Sequence, residues 1–63
     1  MSSQLNYQYA LVSKGQVLDI TNLDYGEPEH AEYLFMEEFG WREKLGVDAK
    51  FDIELVSVTD DPD

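Results

Sequence analysis

The chain has 63 residues, of which 43% are hydrophobic and none is cysteine, and fourteen acidic residues against four basic ones give a formal net charge of −10. This length predicts one small domain, and the hydrophobic content excludes a disordered acidic tail. The composition also excludes a disulfide framework and a thiolate nucleophile, and it disfavours direct binding of nucleic acid, which needs clustered Lys and Arg. Because a core this small is marginal, a partner or a second copy of the chain could supplement it.

The first predicted element is a β-hairpin. Residues 5–11 carry a large apolar side chain at every second position, which is typical of a strand with one buried face. Lys14 and Gly15 predict a two-residue turn, because Gly tolerates a positive φ. Such a turn sets the register of the two strands. The expected facing pairs are Leu11 with Leu18 and Tyr9 with Ile20 on the core side, and Val12 with Val17 and Ala10 with Asp19 on the other side.

A helix is predicted after a loop. A proline near its first turn and the acidic residues around that proline favour a helix start. We predict one helix over residues 28–45 that Gly46 caps, with a break at Gly40 as the alternative, since Gly inside a helix costs about 1 kcal/mol relative to Ala. Glu38 and Arg42 have the spacing of a helical ion pair. The apolar stripe of this helix consists of Ala31, Leu34, Phe35, Trp41 and Leu45.

Residues 50–58 predict a third strand, in which apolar residues alternate with acidic ones. A right-handed crossover from the second strand places this strand beside the first. The expected fold is therefore an α+β domain: a three-stranded antiparallel sheet, ββαβ in order 2-1-3, with one helix packed on one face. The single domain covers residues 1–63, with an ordered core at about 5–58 and a frayed tail at 59–63.

Candidate catalytic and metal-binding residues are few. His30 is the only histidine, and the carboxylates of Glu29 and Glu32 lie away from it on a helix, whereas a zinc site needs three or four converging ligands. The acidic C-terminal residues lack the Gly and the distal Glu of a calcium loop. No Ser–His–Asp spacing and no glycine-rich phosphate loop occurs, and a chain this short leaves little room for a water-excluding pocket. We therefore expect no enzyme activity, no metal and no cofactor.

No stretch of the sequence predicts a membrane segment or a secretion signal. The longest apolar run, residues 33–36, is far shorter than the ~20 residues that span a bilayer. A basic, apolar signal peptide is not seen at the start of the chain. We expect a cytoplasmic protein without membrane contact, located in the host cytoplasm if a phage encodes it.

Carboxylates interleaved with aromatic residues mark the outer side of the predicted helix. Aromatic residues and Met are enriched at protein interfaces, so this side is one candidate contact; the alternative is that loops or the sheet cover these side chains. The uncovered sheet face and its edge are a second candidate, because an edge strand can take up a partner strand, although acids there also deter aggregation. Together the candidate partner-binding residues are Glu29, Glu32, Tyr33, Met36, Phe39, Glu43, Asp52 and Glu54.

Three functions are compatible with this sequence. The favoured one is a small acidic protein that binds and inhibits or modulates a basic, nucleic-acid-handling host protein, as phage-type inhibitors and nucleic-acid mimics do. In length and ββαβ layout the chain resembles small phage inhibitors of host RNA polymerase, a resemblance of topology that carries no residue across. The alternatives are a non-catalytic subunit or adaptor that uses the exposed aromatic and Met surface, and a domain from a salt-rich cytoplasm whose acids serve solubility.

Overall fold

A three-stranded antiparallel sheet and a helical layer make up the fold. The computed structural model describes residues 4–61 of the chain, and the side chains of residues 5–60. The strand order is β2-β1-β3, so the predicted α+β class and the predicted order are confirmed. Among these residues no helix is long and apolar enough to cross a membrane. The elements in chain order are β1 (Gln4–Ser13), β2 (Gln16–Leu23), α1 (Pro28–Tyr33), a π-helical segment (Leu34–Glu38), α2 (Trp41–Leu45) and β3 (Asp52–Asp61).

The β1–β2 turn forms where the sequence predicts it. Lys14 and Gly15 both have a positive φ, 53° and 75°, which is the backbone of a type I′ hairpin turn. Gly adopts this conformation without a steric penalty, and the backbone twist of a type I′ turn matches that of the flanking strands. Val12 faces Val17 across the hairpin, as predicted.

The register beyond that pair differs from the prediction, because a β-bulge follows it. The shift lies between Leu11 and Val12 and makes Leu18 the extra residue of β2, so that Asp19 faces Leu11. Leu18 still packs against the core. A bulge changes which face the following side chains occupy, and alternation in sequence does not reveal it. The predicted pairs Leu11 with Leu18, Tyr9 with Ile20 and Ala10 with Asp19 are therefore wrong; the structure pairs Leu11 with Asp19, Tyr9 with Thr21 and Ala10 with Ile20.

The helical layer is broken. Pro28 begins α1 as predicted, but the turns widen to a π-helix at Leu34 and the helical backbone stops before Gly40. Gly40 has a φ of 79°, a left-handed conformation that favours glycine, and α2 starts at the next residue. The predicted continuous helix over residues 28–45 is wrong, and the alternative, a break at Gly40, is what the structure has. Gly46, with a φ of 92°, ends α2 as predicted.

The break also changes the predicted ion pair. Arg42 Nε lies 2.7 Å from Glu37 Oε2, and the predicted partner, Glu38, is not its partner. Glu38 and Arg42 would be one turn apart only on a continuous α-helix. The π-helical segment and the left-handed Gly40 remove that relation, and they bring Glu37 to the guanidinium instead.

One core joins the sheet to the helical layer. Leu11 and Phe35 are its largest fully buried side chains. Burying a Leu or a Phe side chain contributes roughly 1.5–3 kcal/mol, so these two side chains anchor the two layers. The widened π turn lets two consecutive residues of the helical layer enter the core. The buried members are Tyr9, Leu11, Leu23, Ala31, Phe35 and Met36.

The third strand begins two residues later and ends three residues later than predicted, and it is also bulged. It runs to Asp61, so residues 59–61 belong to the strand and not to a frayed tail; residues 62–63 lie outside the described part. A register shift opposite Gln8 and Tyr9 makes Val56 the extra residue of β3. Val58 consequently faces Tyr7, which packs on the core, and lies on the helix side of the sheet.

Candidate partner-binding surfaces

The outer side of α1 carries acidic and aromatic side chains together. Glu29, Glu32 and Tyr33 are all exposed, and their spacing of three and four residues places them on one side of the helix. Tyr33 is 55% exposed, a high fraction for a large aromatic side chain. We call these three residues the α1 surface. It joins two carboxylates to an amphipathic ring, which is a suitable combination for a protein contact.

The rest of the predicted helix surface is divided. Met36 is only 4% exposed and belongs to the core, because the π-helical turn brings it inward with Phe35. Phe39 is 42% exposed, and its ring meets that of Phe35 edge-on, with centroids 5.9 Å apart. Glu43 is exposed on α2, beyond the break at Gly40, so it does not continue the row formed by the α1 surface.

The two acidic residues predicted on the sheet lie on the face away from the helices, which we call the open face. Asp52 faces Val12 and Glu54 faces Ala10, and both carboxylates are exposed. The α1 surface is on the opposite side of the sheet, since α1 packs on the face that carries Tyr9. The structure therefore separates the predicted residues into two groups and brings no single site together from all of them.

The basic residues are concentrated at one end. Lys14 is in the hairpin turn and Lys50 precedes β3, and both line a groove of about 1130 Å³ together with Leu45 of α2. Arg42 and Lys44 are on α2 itself. Within residues 5–60, the pair of Arg42 with Glu37 is the one ion pair. The carboxylates of α1 therefore have no basic side chain bound to them in this part of the chain.

The groove at the hairpin end is held together by a side chain that the sequence pattern does not indicate, that of Ser13. Ser13 Oγ donates a 2.9 Å hydrogen bond to the carbonyl oxygen of Lys50, which ties the hairpin to the segment before β3. Its lining mixes apolar residues with both charge signs, so it presents no uniform field to a ligand. Among residues 4–61, no group of three or more His, Asp or Glu side chains is placed to hold a metal ion.

A second contact that sequence reasoning missed joins β2 to α2. Trp41 Nε1 donates a 2.9 Å hydrogen bond to Asp19 Oδ2, and the Lys44 ammonium lies 4.7 Å from the centre of the same indole ring. The bulge at Leu18 makes this possible, because it turns Asp19 toward the helical layer. The alternation in the sequence assigns Asp19 to the other face, so only the bulge could have indicated the contact.

The loop before α1 carries a further polar contact. The Tyr25 hydroxyl is hydrogen-bonded to His30 Nδ1, and their rings meet edge-on with centroids 5.5 Å apart. Desolvation, with smaller contributions from the carboxylates of Glu27 and Asp24, raises the pKa of Tyr25 above its usual value of 10.0. The Tyr25 hydroxyl is therefore protonated at neutral pH. This contact ties the loop before α1 to the first turn of the helix.

Comparison with known proteins gives no relative for this chain. No family model matches it, and neither a curated protein nor a solved structure matches it.

Proposed function

We propose that this protein binds a basic protein through the α1 surface and inhibits or modulates it. The observation that supports this is the pairing of two exposed carboxylates, Glu29 and Glu32, with the exposed ring of Tyr33, without a basic side chain bound to them among the described residues. A net charge of −10 steers such a surface toward a cationic partner and repels acidic ones. We further propose that the partner handles nucleic acid, because the surface with which such a protein binds phosphates is already complementary to negative charge.

Electrostatics and burial would contribute differently to this contact. Exposed ion pairs are each worth only about 0.2–1 kcal/mol, so the carboxylates mainly raise the association rate and set specificity. Affinity requires a desolvated anchor, and large aromatic side chains are the usual anchors at interfaces. Tyr33 fills that role on α1, and Phe39, half exposed at the end of the π-helical segment, adds a second ring.

The first experiment identifies the partner by its response to salt. The immobilised protein is exposed to a lysate of the source cell at low ionic strength, and bound proteins are eluted with salt and identified. We expect a basic protein that is released by salt and displaced by DNA or RNA. Salt ions and nucleic acid both compete with the carboxylates of this protein for the positive charges of the partner. A protein that stays bound at high salt and is not displaced by nucleic acid would instead favour the adaptor function. The exposed Tyr33 and Phe39 could form the apolar contact of such an adaptor. Capture of no basic protein would contradict the proposal.

The second experiment locates the contact on the protein. Reversal of the α1 carboxylates, Glu29→Lys with Glu32→Lys, should weaken binding of the identified partner by at least about tenfold, mostly through the association rate. The matched control is Glu38→Lys with Asp48→Lys, which makes the same change of charge on the π-helical segment and in the loop after α2. Equal losses in the two variants would mean that net charge alone matters and that α1 is not the contact.

A further inference from the structure

The outer edge of β3 is open to another strand. β3 is the last strand of the sheet in the order β2-β1-β3, and among residues 4–61 no strand pairs with its far side. An edge strand presents alternate backbone N–H and C=O groups that have no sheet partner. β3 extends over ten residues, so it is long enough to pair with a strand of ordinary length.

The side chains along this edge are apolar as well as exposed. Leu55 is 51% exposed, Val56 52% and Val58 45%. Leu55 faces Tyr9 and Val58 faces Tyr7, so both lie on the helix side of the sheet, yet the helical layer leaves about half of each uncovered. A strand added at the edge would cover them with its own apolar side chains and satisfy the open backbone groups at the same time.

The charge of β3 selects the kind of strand that fits. β3 carries four acidic residues, Asp52, Glu54, Asp60 and Asp61, and contains no basic residue. A second copy of β3 would bring carboxylates next to carboxylates, which is destabilising in a sheet. The same carboxylates attract a cationic strand, and the two on the open face, Asp52 and Glu54, have no basic partner among the described residues.

We infer that β3 takes up an extended segment of a basic protein, in which Lys or Arg alternates with apolar residues. This inference rests on the proposed function and adds the way in which the partner is recognised. Since neighbouring strands place equivalent side chains on the same face, the cations of the segment lie beside Asp52 and Glu54, and its apolar residues lie beside Leu55 and Val58. The edge of β2 is a poorer site, because its one acidic residue, Asp19, is bonded to Trp41.

The test uses the full chain and a blocked ten-residue peptide in which lysine and valine alternate. Binding is measured by calorimetry at low salt, and amide hydrogen exchange is followed by NMR. We expect protection of the alternate β3 amides that point away from β1, since these are the groups a new strand would pair. A peptide of the same sequence with a methyl group on every backbone nitrogen can donate no backbone hydrogen bond on either edge, and we expect it to bind at least about tenfold more weakly.

Charge variants assign the binding to β3. Asp52→Lys with Glu54→Lys should weaken binding of the alternating peptide by about tenfold, because two attractive contacts become repulsive ones. The control, Asp24→Lys with Glu38→Lys, makes the same change of charge away from β3 and should change the affinity by less than about threefold. Equal losses in both variants, equal binding of the N-methylated peptide, or unprotected β3 amides would each overturn the inference.

Failure of this inference can be told apart from failure of the proposed function. If the natural partner binds and the α1 reversal weakens it while the β3 amides stay unprotected, the strand contact is wrong and the proposed function stands. If neither the partner nor the basic peptide binds the unaltered chain, both are wrong.

Discussion

The two parts of the helical layer, on either side of Gly40, differ in what they bury. The part before it, α1 with the π-helical segment, contributes Ala31, Phe35 and Met36 to the core, each at most 4% exposed. The part after it, α2, contributes no fully buried residue, and Leu45 and Trp41 are only partly covered. The charges differ as well, because α2 carries Arg42 and Lys44 whereas the first part has acidic side chains and no Lys or Arg.

This difference separates stability from surface chemistry within one short layer. The first part buries one side in the core and leaves its other side free to carry the α1 surface. The second part is attached mainly by peripheral contacts, the hydrogen bond from Trp41 to Asp19 and the partial packing of Leu45. In a domain of this size, stability of only a few kcal/mol is expected, so most of it must come from the first part.

The largest expected effect tests this division directly. Phe35→Ala should lower the free energy of unfolding by about 3–5 kcal/mol, because it leaves a cavity in a fully closed site. Leu45→Ala, in the second part, should cost only about 1 kcal/mol, because the side chain is already partly in water. Urea unfolding followed by circular dichroism measures both losses; because the domain has only a few kcal/mol of stability, a Phe35→Ala chain that is unfolded without urea also meets this expectation. Similar losses in the two variants would mean that α2 supports the core as much as α1 does.

A substitution at the junction tests the break itself through the sign of its effect. Gly40→Ala should lower the free energy of unfolding by about 1 kcal/mol, since a Cβ is strained at a φ of 79°. On a continuous helix the same change would instead raise stability by about 1 kcal/mol. Beyond Gly40 and its two chain neighbours, no atom lies within 4 Å of the position a Cβ would take, so backbone conformation alone decides the sign. A rise in thermal stability would contradict the broken layer.

The smallest expected effect concerns the ion pair that connects the two parts. Glu37→Gln should lower the free energy of unfolding by no more than about 0.5 kcal/mol at low salt, because both side chains of its pair with Arg42 are about half exposed. The loss should vanish at about 1 M salt, where exposed charges are screened. Glu38→Gln is the matched control and should have no salt-dependent effect of this kind. A larger effect of Glu38→Gln than of Glu37→Gln would contradict this pair and would support the pair of Glu38 with Arg42.

Much of the fold could be predicted because it depends on local pattern. The alternation in residues 5–11 and 50–58 indicated two of the strands, and Lys14 with Gly15 indicated the turn between the first two. Strand order followed from the handedness of the crossover, which does not depend on side-chain detail. The exposed α1 surface was predicted by the same reasoning, since residues three and four apart share one side of any helical turn.

The features that could not be predicted arise where a strand or helix contains one residue more than its regular spacing allows. Leu18 in β2, Val56 in β3 and the π-helical turn before Phe39 each shift the side chains that follow them. These shifts placed Met36 in the core, turned Asp19 to Trp41 and put Val58 on the helix side. A periodic pattern assumes constant spacing, so it cannot reveal where the spacing changes.

By itself the sequence determined the charge, the number and type of strands, the turn and the sides of α1, because each of these depends on composition or on neighbours within one turn of chain. Only the tertiary structure decided the registers, the break at Gly40 and the separation of the acidic residues onto two faces. The physical reason is that a bulge or a widened turn costs little locally and is selected by how well the two layers then pack, which depends on residues far apart in the chain.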